Sequence, residues 1–406
     1  MKRIEGGVTA PTGFQAGGVF VGLKHKKKDM AMIYSASPCR AAGVFTTNVV
    51  KAAPVLWNRQ VVTSGVPCHA VVINSGIANA CTGKLGMQYC EETAREVESV
   101  MGCEKGSALV CSTGVIGKQL PMDKICQGIG LLKDAMAEGP EGGHAAAEAI
   151  MTTDTKPKEI AVSFTVGGRT ATMGGMCKGS GMIHPNMCTM LCFITTDCAI
   201  SKEMLQKALS DDVVDTFNMI SVDGDTSTND TVLLLANGQA GNPVIEAEGE
   251  DYDAFCEALH EVMVDLSKKI AGDGEGASAL FEVQVIHAET KEQARLLSKS
   301  IVTSSLTKAA VFGHDANWGR ILCAMGYSGA EFDPDQTDIY FKSQGGCIQI
   351  VKDGMAADYS EEEATEILSF PEVTAIADIH AGEEEATAWG CDLTYDYVRI
   401  NADYRS

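Results

Sequence analysis

The residues most suited to chemistry lie in one glycine-rich stretch, residues 173–191. It reads Met-Gly-Gly-Met-Cys-Lys-Gly-Ser-Gly-Met-Ile-His-Pro-Asn-Met-Cys-Thr-Met-Leu. The lysine does not indicate a phosphate-binding loop, because that motif requires Gly-Lys followed directly by Ser or Thr, whereas Gly179 follows Lys178. Closely spaced glycines permit positive φ angles, so the stretch predicts a sharply bent backbone that presents one hydroxyl group.

Thr189 carries the hydroxyl that such a backbone could present. If its oxygen attacks the carbonyl of Cys188, the acyl group moves to oxygen, water hydrolyses the ester, and Thr189 keeps a free α-amine. An α-amine has an ordinary pKa of about 8, so part of it is unprotonated near neutrality and can accept the hydroxyl proton. The alternative from the residues alone is an ordinary surface loop followed by a strand that starts at Thr189.

Hydrophobic periodicity predicts the elements that would position this stretch. Four β-rich segments bounded by turn residues predict strands, several of which could pair in one sheet: residues 69–74, 159–166, 232–235 and 281–286. Apolar residues at three- and four-residue steps predict one helix after Pro121 and another from Asp251 to Gly272. The acidic run 361–363 predicts the start of a solvated helix. The sequence is therefore typical of a mixed α/β fold.

Composition excludes several classes of protein. The 406 residues are 45% hydrophobic, which is enough for roughly two to three domains. The formal charge of −22 disfavours nucleic acid and anionic membranes as partners. We find no apolar run of about 18 residues and no apolar N-terminal signal, so the expected compartment is the cytoplasm.

Neither cysteine nor acidic motifs predict a metal. The 15 cysteines are scattered without C-x-x-C spacing, which indicates reduced and mostly buried thiols, and the group Cys188, Cys192 and Cys198 matches no usual zinc pattern. Residues 223–227 resemble the start of a calcium loop, but Thr228 and Leu234 occupy the positions that require glycine and glutamate. The polar run is instead expected to be a turn that supports the site.

The glycine-rich stretch resembles the self-cleavage motif of the ornithine acetyltransferase family, in which the threonine becomes the nucleophile. The resemblance covers essentially the whole chain. Further motifs in the family's order are residues 6–11, 45–48, 74–80, 112–117, 152–155, 221–230, 272–276, 317–320 and 401–404. The chain departs from the family pattern at Thr12, Ile77, Cys188 and Ser278-Ala279, and the last pair could alter the charge near the substrate.

The resemblance implies an ornithine acetyltransferase-like self-processing fold and a ping-pong reaction in arginine biosynthesis. N2-acetylornithine would acetylate Thr189 and release ornithine, and glutamate would then accept the acetyl group. The implied α fragment is 1–188 and the β fragment 189–406, with two copies of each in a heterotetramer. No cofactor and no metal are implied, and acetyl-CoA is admitted as a second acetyl donor.

The resemblance also implies roles for individual residues. The Thr113 hydroxyl and the Gly114 backbone N–H would form the oxyanion hole. The implied substrate contacts are Thr152, Lys178, Thr189, Glu275, Asn401 and Ser406. Lys178 and Thr152 suit an α-carboxylate and Glu275 suits the ornithine ammonium, although the sequence does not separate Thr152 from Thr153.

Each of these roles has an alternative on the residues alone. Thr113-Gly114 could be an ordinary turn, Glu275 an exposed turn carboxylate, and Asn401 and Ser406 part of a frayed chain end. Two other functions also compete. One is an amidase or aminopeptidase of the same self-processing type, in which water resolves the acyl-enzyme, and the other is a non-catalytic amino-acid sensor that does not cleave itself.

Overall fold

The computed structural model of the chain describes residues 1–184 and 190–403. The strands are β1 (Lys2–Ile4), β2 (Phe14–Val19), β3 (Met30–Phe45), β4 (Cys68–Ile77), β5 (Ala108–Val115), β6 (Lys158–Val166), β7 (Arg169–Lys178), β8 (Leu191–Thr196), β9 (Ile220–Ser221), β10 (Thr231–Ala236), β11 (Leu280–Ala288), β12 (Asp338–Ser343), β13 (Gly346–Lys352), β14 (Met355–Ala356), β15 (Glu372–Asp378) and β16 (Glu384–Cys391). The helices are α1 (Ala53–Ser64), α2 (Gly83–Met101), α3 (Met122–Ala135), α4 (Pro140–Ile150), α5 (Lys202–Asp212), α6 (Glu250–Gly272), α7 (Lys291–Thr303), α8 (Ser305–Phe312), α9 (Trp318–Gly326), α10 (Glu361–Leu368) and α11 (Tyr395–Ala402). The predicted mixed α/β fold is confirmed.

The described residues form two compact units. The first unit comprises residues 1–179, 190–217 and 226–266, and the second comprises 180–184, 218–225 and 267–403. Residues before and after the expected Cys188–Thr189 cleavage therefore occur in each unit. Proteolytic fragments and folding units are different divisions of the chain, because cutting a peptide bond does not by itself separate packed elements.

The first unit is built on a nine-stranded sheet. Its order is β1-β6-β7-β8-β10-β3-β4-β5, with β2 paired to β3 beside this path. The first half of the long strand β3 pairs with β2 and β4, and its second half pairs with β10. Strand β4 runs parallel to β5, so their carboxyl ends meet at one edge of the sheet.

Strands β3, β4 and β5 of this sheet are covered on both faces. Along β4, Val71 packs in one hydrophobic cluster with Ile150 of α4, whereas its neighbour Val72 packs in another with Ile129 of α3. Because neither face meets water, these strands contain apolar runs rather than an alternation of apolar and polar residues. The rigid double-sided core fixes the strand ends that carry Asn74 to Ile77 and Thr113-Gly114.

The second unit is built on a seven-stranded sheet in the order β14-β13-β12-β15-β11-β16-β9. Strand β11 is parallel to β15 and antiparallel to β16, while β12 is antiparallel to β15. Helix α7 buries Leu297 and Ile301. The acidic run opens α10 as predicted, after the Ser360 hydroxyl accepts a hydrogen bond from the Glu363 N–H.

The other predicted elements also agree with the structure. The four predicted strands are β4, β6, β10 and β11; the first three share the nine-stranded sheet, and β11 lies in the other. Helix α3 starts one residue after Pro121, and α6 ends at Gly272 with its predicted apolar face buried. Within the described part of the chain, we find no helix with the length and apolarity that crossing a membrane requires.

Candidate active site

In the first unit, a buried carboxylate joins two of the predicted substrate residues. The Lys158 ammonium lies 2.6 Å from one Asp154 oxygen, and the Lys178 ammonium lies 4.0 Å from the other. The Gly179 N–H donates to Asp154 over 2.7 Å and the Thr152 N–H over 3.0 Å. The structure thus brings Thr152 and Lys178 to one carboxylate.

The ammonium groups of Lys158 and Lys178 change the acidity of Asp154. Burial alone would raise the pKa of the Asp154 carboxyl, but the charges of Lys178 and Lys158 outweigh burial and hold this pKa below its usual range. One carboxylate faces two ammonium groups, and the Lys178 side chain is only 9% exposed. The buried Lys178 ammonium can bind an anion, such as the α-carboxylate of an amino acid.

Lys24 is a third cation near this cluster, and sequence reasoning missed it. Its ammonium donates to the carbonyls of Ala149 (3.3 Å) and Met151 (2.9 Å) at the end of α4. Burial lowers the pKa of Lys24 to about 8, while the carboxylate of Asp29 opposes this shift. No sequence signal distinguishes this lysine, because it stands beside the basic run 25–28, which looks like an exposed surface segment.

The predicted oxyanion-hole residues, Thr113 and Gly114, lie near the carboxyl end of β5. Gly114 has a φ of 127° and pairs with Gly76 of β4, which has a φ of 115°. A Cβ atom on Gly114 would lie 2.6 Å from the Cα atom of Gly76. A side chain at this position therefore conflicts with both the backbone conformation and the space available. Thr113 and Gly114 are half-buried.

Buried amide side chains hold these strand ends in place. The Ser112 hydroxyl donates to the Asn74 side-chain oxygen over 2.6 Å. The Asn229 amide donates to the Ser112 carbonyl over 2.8 Å and to the Ala78 carbonyl over 2.6 Å. Asn74 and Asn229 belong to motifs in the sequence but had no predicted role. Their positions indicate that they fix the backbone around Thr113-Gly114.

In the second unit, the backbone of residues 180–184 is hydrogen-bonded to neighbouring segments. The Asp223 carboxylate accepts from the N–H groups of Met182 (2.6 Å) and Ile183 (2.9 Å), and the Val222 N–H donates to the Ile183 carbonyl over 2.7 Å. Met182 takes a left-handed φ of 57°, which is uncommon for a residue with a side chain. The predicted supporting role of the polar run after Ser221 agrees with these contacts.

The two ends of this segment have further contacts. The Ser180 hydroxyl donates to the Asp273 carbonyl over 2.7 Å. The His184 Nδ1 atom lies 3.1 Å from the Ser221 hydroxyl oxygen. Burial, and secondarily the charge of Lys299, lower the pKa of His184 to about 4, so its imidazole is neutral near pH 7. Residues 180–184 therefore have hydrogen-bond partners at both ends of the segment.

Glu275 and Asn401 come together in the second unit. The Asn401 amide donates to the Glu275 carboxylate over 2.8 Å, and the Glu275 N–H donates to the Ser180 carbonyl over 2.9 Å. Glu275 is only 6% exposed, which excludes the alternative of an exposed turn carboxylate. Asn401 lies in α11 rather than in a frayed end. Gly181 faces the Glu275 carboxyl so closely that a Cβ atom would collide with it.

Tyr397 is a second residue that the sequence did not reveal. Burial raises the pKa of its hydroxyl above the ordinary value, and the charges of Asp223 and Glu275 raise it further. The tyrosine therefore remains protonated near neutral pH as a donor close to both carboxylates. Its sequence neighbours in α11 gave no signal, because contact with Asp223 and Glu275 joins positions more than 100 residues apart.

Three predicted site residues lie outside the described residues: Cys188, Thr189 and Ser406. Thr152 and Thr153 are both half-buried, so burial does not separate them as substrate contacts. At the departure from the family pattern, the Ser278 N–H and the Ala279 N–H donate to one oxygen of Asp392, over 2.9 Å and 3.1 Å. Ser278-Ala279 thus binds a carboxylate of its own unit through the backbone.

Replacing Asp154 by asparagine should lower the stability of the protein by about 3 kcal/mol at pH 7, the lower end of the cost of breaking a buried ion pair. The native pKa of Asp154 lies below that of the unfolded chain, so its stabilisation is complete above about pH 5. It is lost as the pH falls toward the native value. Calorimetry should therefore show the difference in melting temperature between wild type and Asp154→Asn shrinking from pH 6 to pH 3.

The exposed Asp134 of α3 provides the matched control for this series. Asp134→Asn removes the same charge where solvent screens it, so its effect should stay within about 0.5 kcal/mol across the range. An Asp154→Asn protein as stable as Asp134→Asn at pH 7 would contradict the ion-pair interpretation.

Comparison with known proteins reveals full-length similarity. The model of the ArgJ family matches residues 15–406. A protein of Caldanaerobacter subterraneus subsp. tengcongensis named arginine biosynthesis bifunctional protein ArgJ is 50% identical over 406 residues, with 100% of each chain covered. A protein of the same name from Symbiobacterium thermophilum is 52% identical over 409 residues, again with 100% of each chain covered. The crystal structure of arginine biosynthesis bifunctional protein ArgJ from Bacillus halodurans is 48% identical with a TM-score of 0.50, and covers 53% of this chain and 99% of that chain.

Proposed function

Because the chain belongs to the ArgJ family, we propose that it transfers acetyl from N2-acetylornithine to glutamate in arginine biosynthesis. The observation that carries the proposal is the full-length identity of about half of all residues to proteins named for arginine biosynthesis. Two observations, one in each unit, support it further: the buried Glu275 carboxylate in the second unit can bind an ammonium group, and the buried Lys178 ammonium in the first can bind a carboxylate.

Self-cleavage is the first step of the proposed mechanism. The Thr189 hydroxyl attacks the carbonyl of Cys188, the peptide nitrogen leaves as an amine, and the resulting ester is hydrolysed by water. Support comes from residues 180–184, which are hydrogen-bonded to Asp223 and Val222 and include the left-handed Met182. A fixed segment a few residues before the reacting atoms favours self-cleavage, because holding reacting groups in place lowers the entropy cost of their approach.

Acetyl transfer then proceeds in two half-reactions. The free α-amine of Thr189 accepts the hydroxyl proton as the oxygen attacks the acetyl carbonyl of N2-acetylornithine. The same proton passes to the departing nitrogen, and ornithine leaves. In the second half-reaction, the amine of glutamate attacks the acetyl-threonine ester, which gives N-acetylglutamate and restores the Thr189 hydroxyl. The acetyl group changes partner without a redox step.

The oxyanion that forms in both half-reactions needs donors already in place. We assign this task to the Thr113 hydroxyl and the Gly114 N–H. The Gly76–Gly114 pairing and the hydrogen bonds from Asn229 support the assignment, because they hold the backbone in one conformation. Preorganised donors avoid the reorganisation cost that water would incur, and each contributes on the order of 3 kcal/mol in comparable sites.

The remaining residues are assigned to substrate recognition. Lys178 and Thr152 bind the α-carboxylate, because both lie beside Asp154 and an ammonium and a hydroxyl are suitable donors to a carboxylate. Glu275, oriented by Asn401, binds the ornithine ammonium. Thr189 and Ser406 complete the set by resemblance to the family. Lys24 adds a cation near Lys178 in the first unit, and Tyr397 adds a hydroxyl donor near Glu275 in the second.

Two fragments of one precursor are the proposed partners. Residues 189–406 make up 218 of the 406 residues, slightly more than half of the chain. The solved Bacillus halodurans chain covers 53% of this chain and is 99% covered itself, so its length is close to that of the proposed β fragment. We propose that two copies of each fragment assemble into a heterotetramer in the cytoplasm. The proposed reaction needs no cofactor. Acetyl-CoA is the second acetyl donor that we propose to test in the same assay.

The test is an assay of ornithine release with and without glutamate. Purified protein is supplied with N2-acetylornithine, and ornithine and N-acetylglutamate are quantified by mass spectrometry. A transferase should release ornithine in step with N-acetylglutamate and stop after one turnover when glutamate is omitted. Release that continues at the same rate without glutamate, with free acetate as product, would instead identify the amidase alternative. An intact chain without turnover would identify the sensor.

Replacing Lys178 by alanine should mainly weaken substrate binding. A hydrogen bond to a charged group contributes about 1.5–3 kcal/mol, so we expect KM for N2-acetylornithine to rise about 10- to 150-fold. The value of kcat should fall less, because Lys178 does not take part in proton transfer. Initial-rate kinetics at saturating glutamate provide both constants.

Lys156→Ala is the control for this prediction. Lys156 precedes β6 in an exposed position, so its removal changes the net charge equally without touching Asp154. KM values that are the same for Lys178→Ala and Lys156→Ala would remove Lys178 from the site.

A further inference from the structure

Four polar side chains, none of them assigned a role above, meet at one end of three neighbouring strands in the seven-stranded sheet. Asp378 ends β15, and Asp338 begins the antiparallel neighbour β12 directly opposite it. His287 lies near the end of β11, the parallel neighbour on the other side of β15, where the pairing with β16 is irregular. His380 follows β15 by two residues. Three neighbouring strands therefore contribute to one cluster, which we call the His–Asp cluster: His287, Asp338, Asp378 and His380.

The distances within the His–Asp cluster suit shared ligation of one ion. The His287 Nδ1 atom lies 2.9 Å from the Asp378 carboxylate, and the His380 Nδ1 atom lies 3.3 Å from it. One ligand atom from each of His287, Asp378 and His380 lies within 4.8 Å of the other two. The two imidazoles are stacked, with ring centroids 6.1 Å apart and an interplanar angle of 16°.

Two carboxylates of the His–Asp cluster oppose each other across neighbouring strands. Asp338 and Asp378 are directly opposed across two strands, and their side chains are only 13% and 11% exposed. Like charges that face each other across a sheet are destabilising. Backbone N–H groups satisfy part of this charge, since Asp353 donates to Asp338 over 2.9 Å and His380 donates to Asp378 over 3.1 Å. The remaining negative charge faces the two imidazoles.

The backbone holds both histidines in unusual conformations. His287 has a φ of 54° and His380 a φ of 48°. Both values lie in the left-handed region that residues other than glycine rarely adopt. The N–H groups of Ala381 and Gly382 donate to the His287 carbonyl over 2.7 Å and 2.8 Å, so this turn is held in place. Because both histidines have left-handed backbone conformations, the direction in which each imidazole projects from the backbone is fixed.

We propose that His287, Asp378 and His380 bind a divalent transition-metal ion of the zinc class through two imidazole nitrogens and one carboxylate oxygen. Ligands at about 2.0–2.1 Å from a tetrahedral zinc ion are about 3.3 Å apart, close to the spacings of the Asp378 carboxylate from the two Nδ1 atoms. The His380 Nε2 atom lies 3.4 Å from Asp338. Metal-bound histidines commonly donate their second ring N–H to such a carboxylate, which orients the ring.

The ligand set determines the class of metal. Two imidazoles favour zinc, cobalt, nickel or copper over calcium and magnesium, which prefer ligands made of oxygen alone. Three protein ligands leave one coordination position for water or another small ligand. The ion joins the ends of β11 and β15 and neutralises the opposed carboxylates, so its expected role is to stabilise this edge of the sheet.

The test uses full-length protein purified without a polyhistidine tag and stripped with a chelator. Calorimetric titration with Zn²⁺ and absorption spectra with Co²⁺ are recorded for wild type, His287→Asn and His380→Asn. Asparagine is chosen because it tolerates left-handed φ angles while removing the imidazole. Wild type should bind one Zn²⁺ ion per chain. Each variant should bind no Zn²⁺ at this site, or bind it at least about tenfold more weakly, because each imidazole is a direct ligand.

His314→Asn is the matched control, because His314 is an exposed histidine with a φ of 52° outside the His–Asp cluster. The His314→Asn protein should still bind one Zn²⁺ ion per chain with the affinity of the wild type. Zinc bound by exposed cysteines such as Cys323 and Cys347 would appear in all four proteins and cancel in the comparison. Wild type without a stoichiometric site, or His287→Asn binding zinc as tightly as His314→Asn, would overturn the proposal and leave imidazolium–carboxylate pairs as the explanation.

Discussion

Thr189→Ala should give a single polypeptide of 406 residues that transfers no acetyl group. Alanine lacks the oxygen that attacks the Cys188 carbonyl, so neither the peptide bond in front of it nor the acetyl donor can form an ester with residue 189. We expect kcat to fall by about 10⁶-fold, the loss seen when the covalent nucleophile of a serine protease is removed. Denaturing electrophoresis, intact-mass spectrometry and the ornithine-release assay measure the three consequences on one preparation.

Thr189→Ser is the matched control, because serine retains the hydroxyl and the α-amine. It should still yield fragments of 188 and 218 residues, with the second beginning at residue 189. Two fragments from Thr189→Ala, or a wild-type fragment whose N-terminus lies elsewhere, would refute the assignment of the nucleophile. An uncleaved wild-type chain that still transfers acetyl groups would show that the free α-amine is not needed.

Gly114→Ala should abolish most activity while the chain still folds. The new methyl group would lie 2.6 Å from the Cα atom of Gly76, at a φ of 127° that alanine resists, so β5 must move away from β4. Such a shift displaces the Gly114 N–H and the Thr113 hydroxyl from the developing oxyanion. Loss of one such donor typically lowers kcat by about 10² to 10³, and steady-state kinetics on the variant measure the change.

Gly117→Ala separates the effect of the close approach from the cost of the backbone conformation. Gly117 also has a positive φ, 80°, but a Cβ atom there would meet nothing within 4 Å. We expect Gly117→Ala to cost about 1–2 kcal/mol in stability and to leave kcat nearly unchanged. If Gly114→Ala keeps a kcat within a few-fold of Gly117→Ala, the oxyanion assignment at the end of β5 is wrong.

The secondary structure was largely readable from the sequence because local patterns determine it. In α6, Phe255, Leu259 and Val262 recur at helical spacing and are all fully buried, as their period predicts. The strand at 69–74 was equally clear, since it is an apolar run covered on both faces. The division of strands between two sheets was not readable, because pairing such as β10 with β3 joins segments about 190 residues apart.

The candidate site was readable only in part. Lys178, Glu275 and Asn401 were named through the family motifs, and the structure then supplied their partners. Lys24 and Tyr397 were missed because a lysine beside a basic run and a tyrosine near a chain end carry no local signal. Their significance arises from burial near Asp154 and Asp223, which sequence spacing does not encode.

By itself the sequence determined the chemistry available to this protein: a threonine hydroxyl after a glycine-rich stretch, a lysine and a glutamate of complementary charge, and a mixed α/β framework. Only the tertiary structure decided which groups are buried, which carboxylate each lysine faces, and that His287, Asp378 and His380 meet at one sheet edge. The physical reason is that residue type and short-range periodicity are local properties. Burial and charge pairing depend on contacts between residues far apart in the chain, which exist only once the sheets have formed.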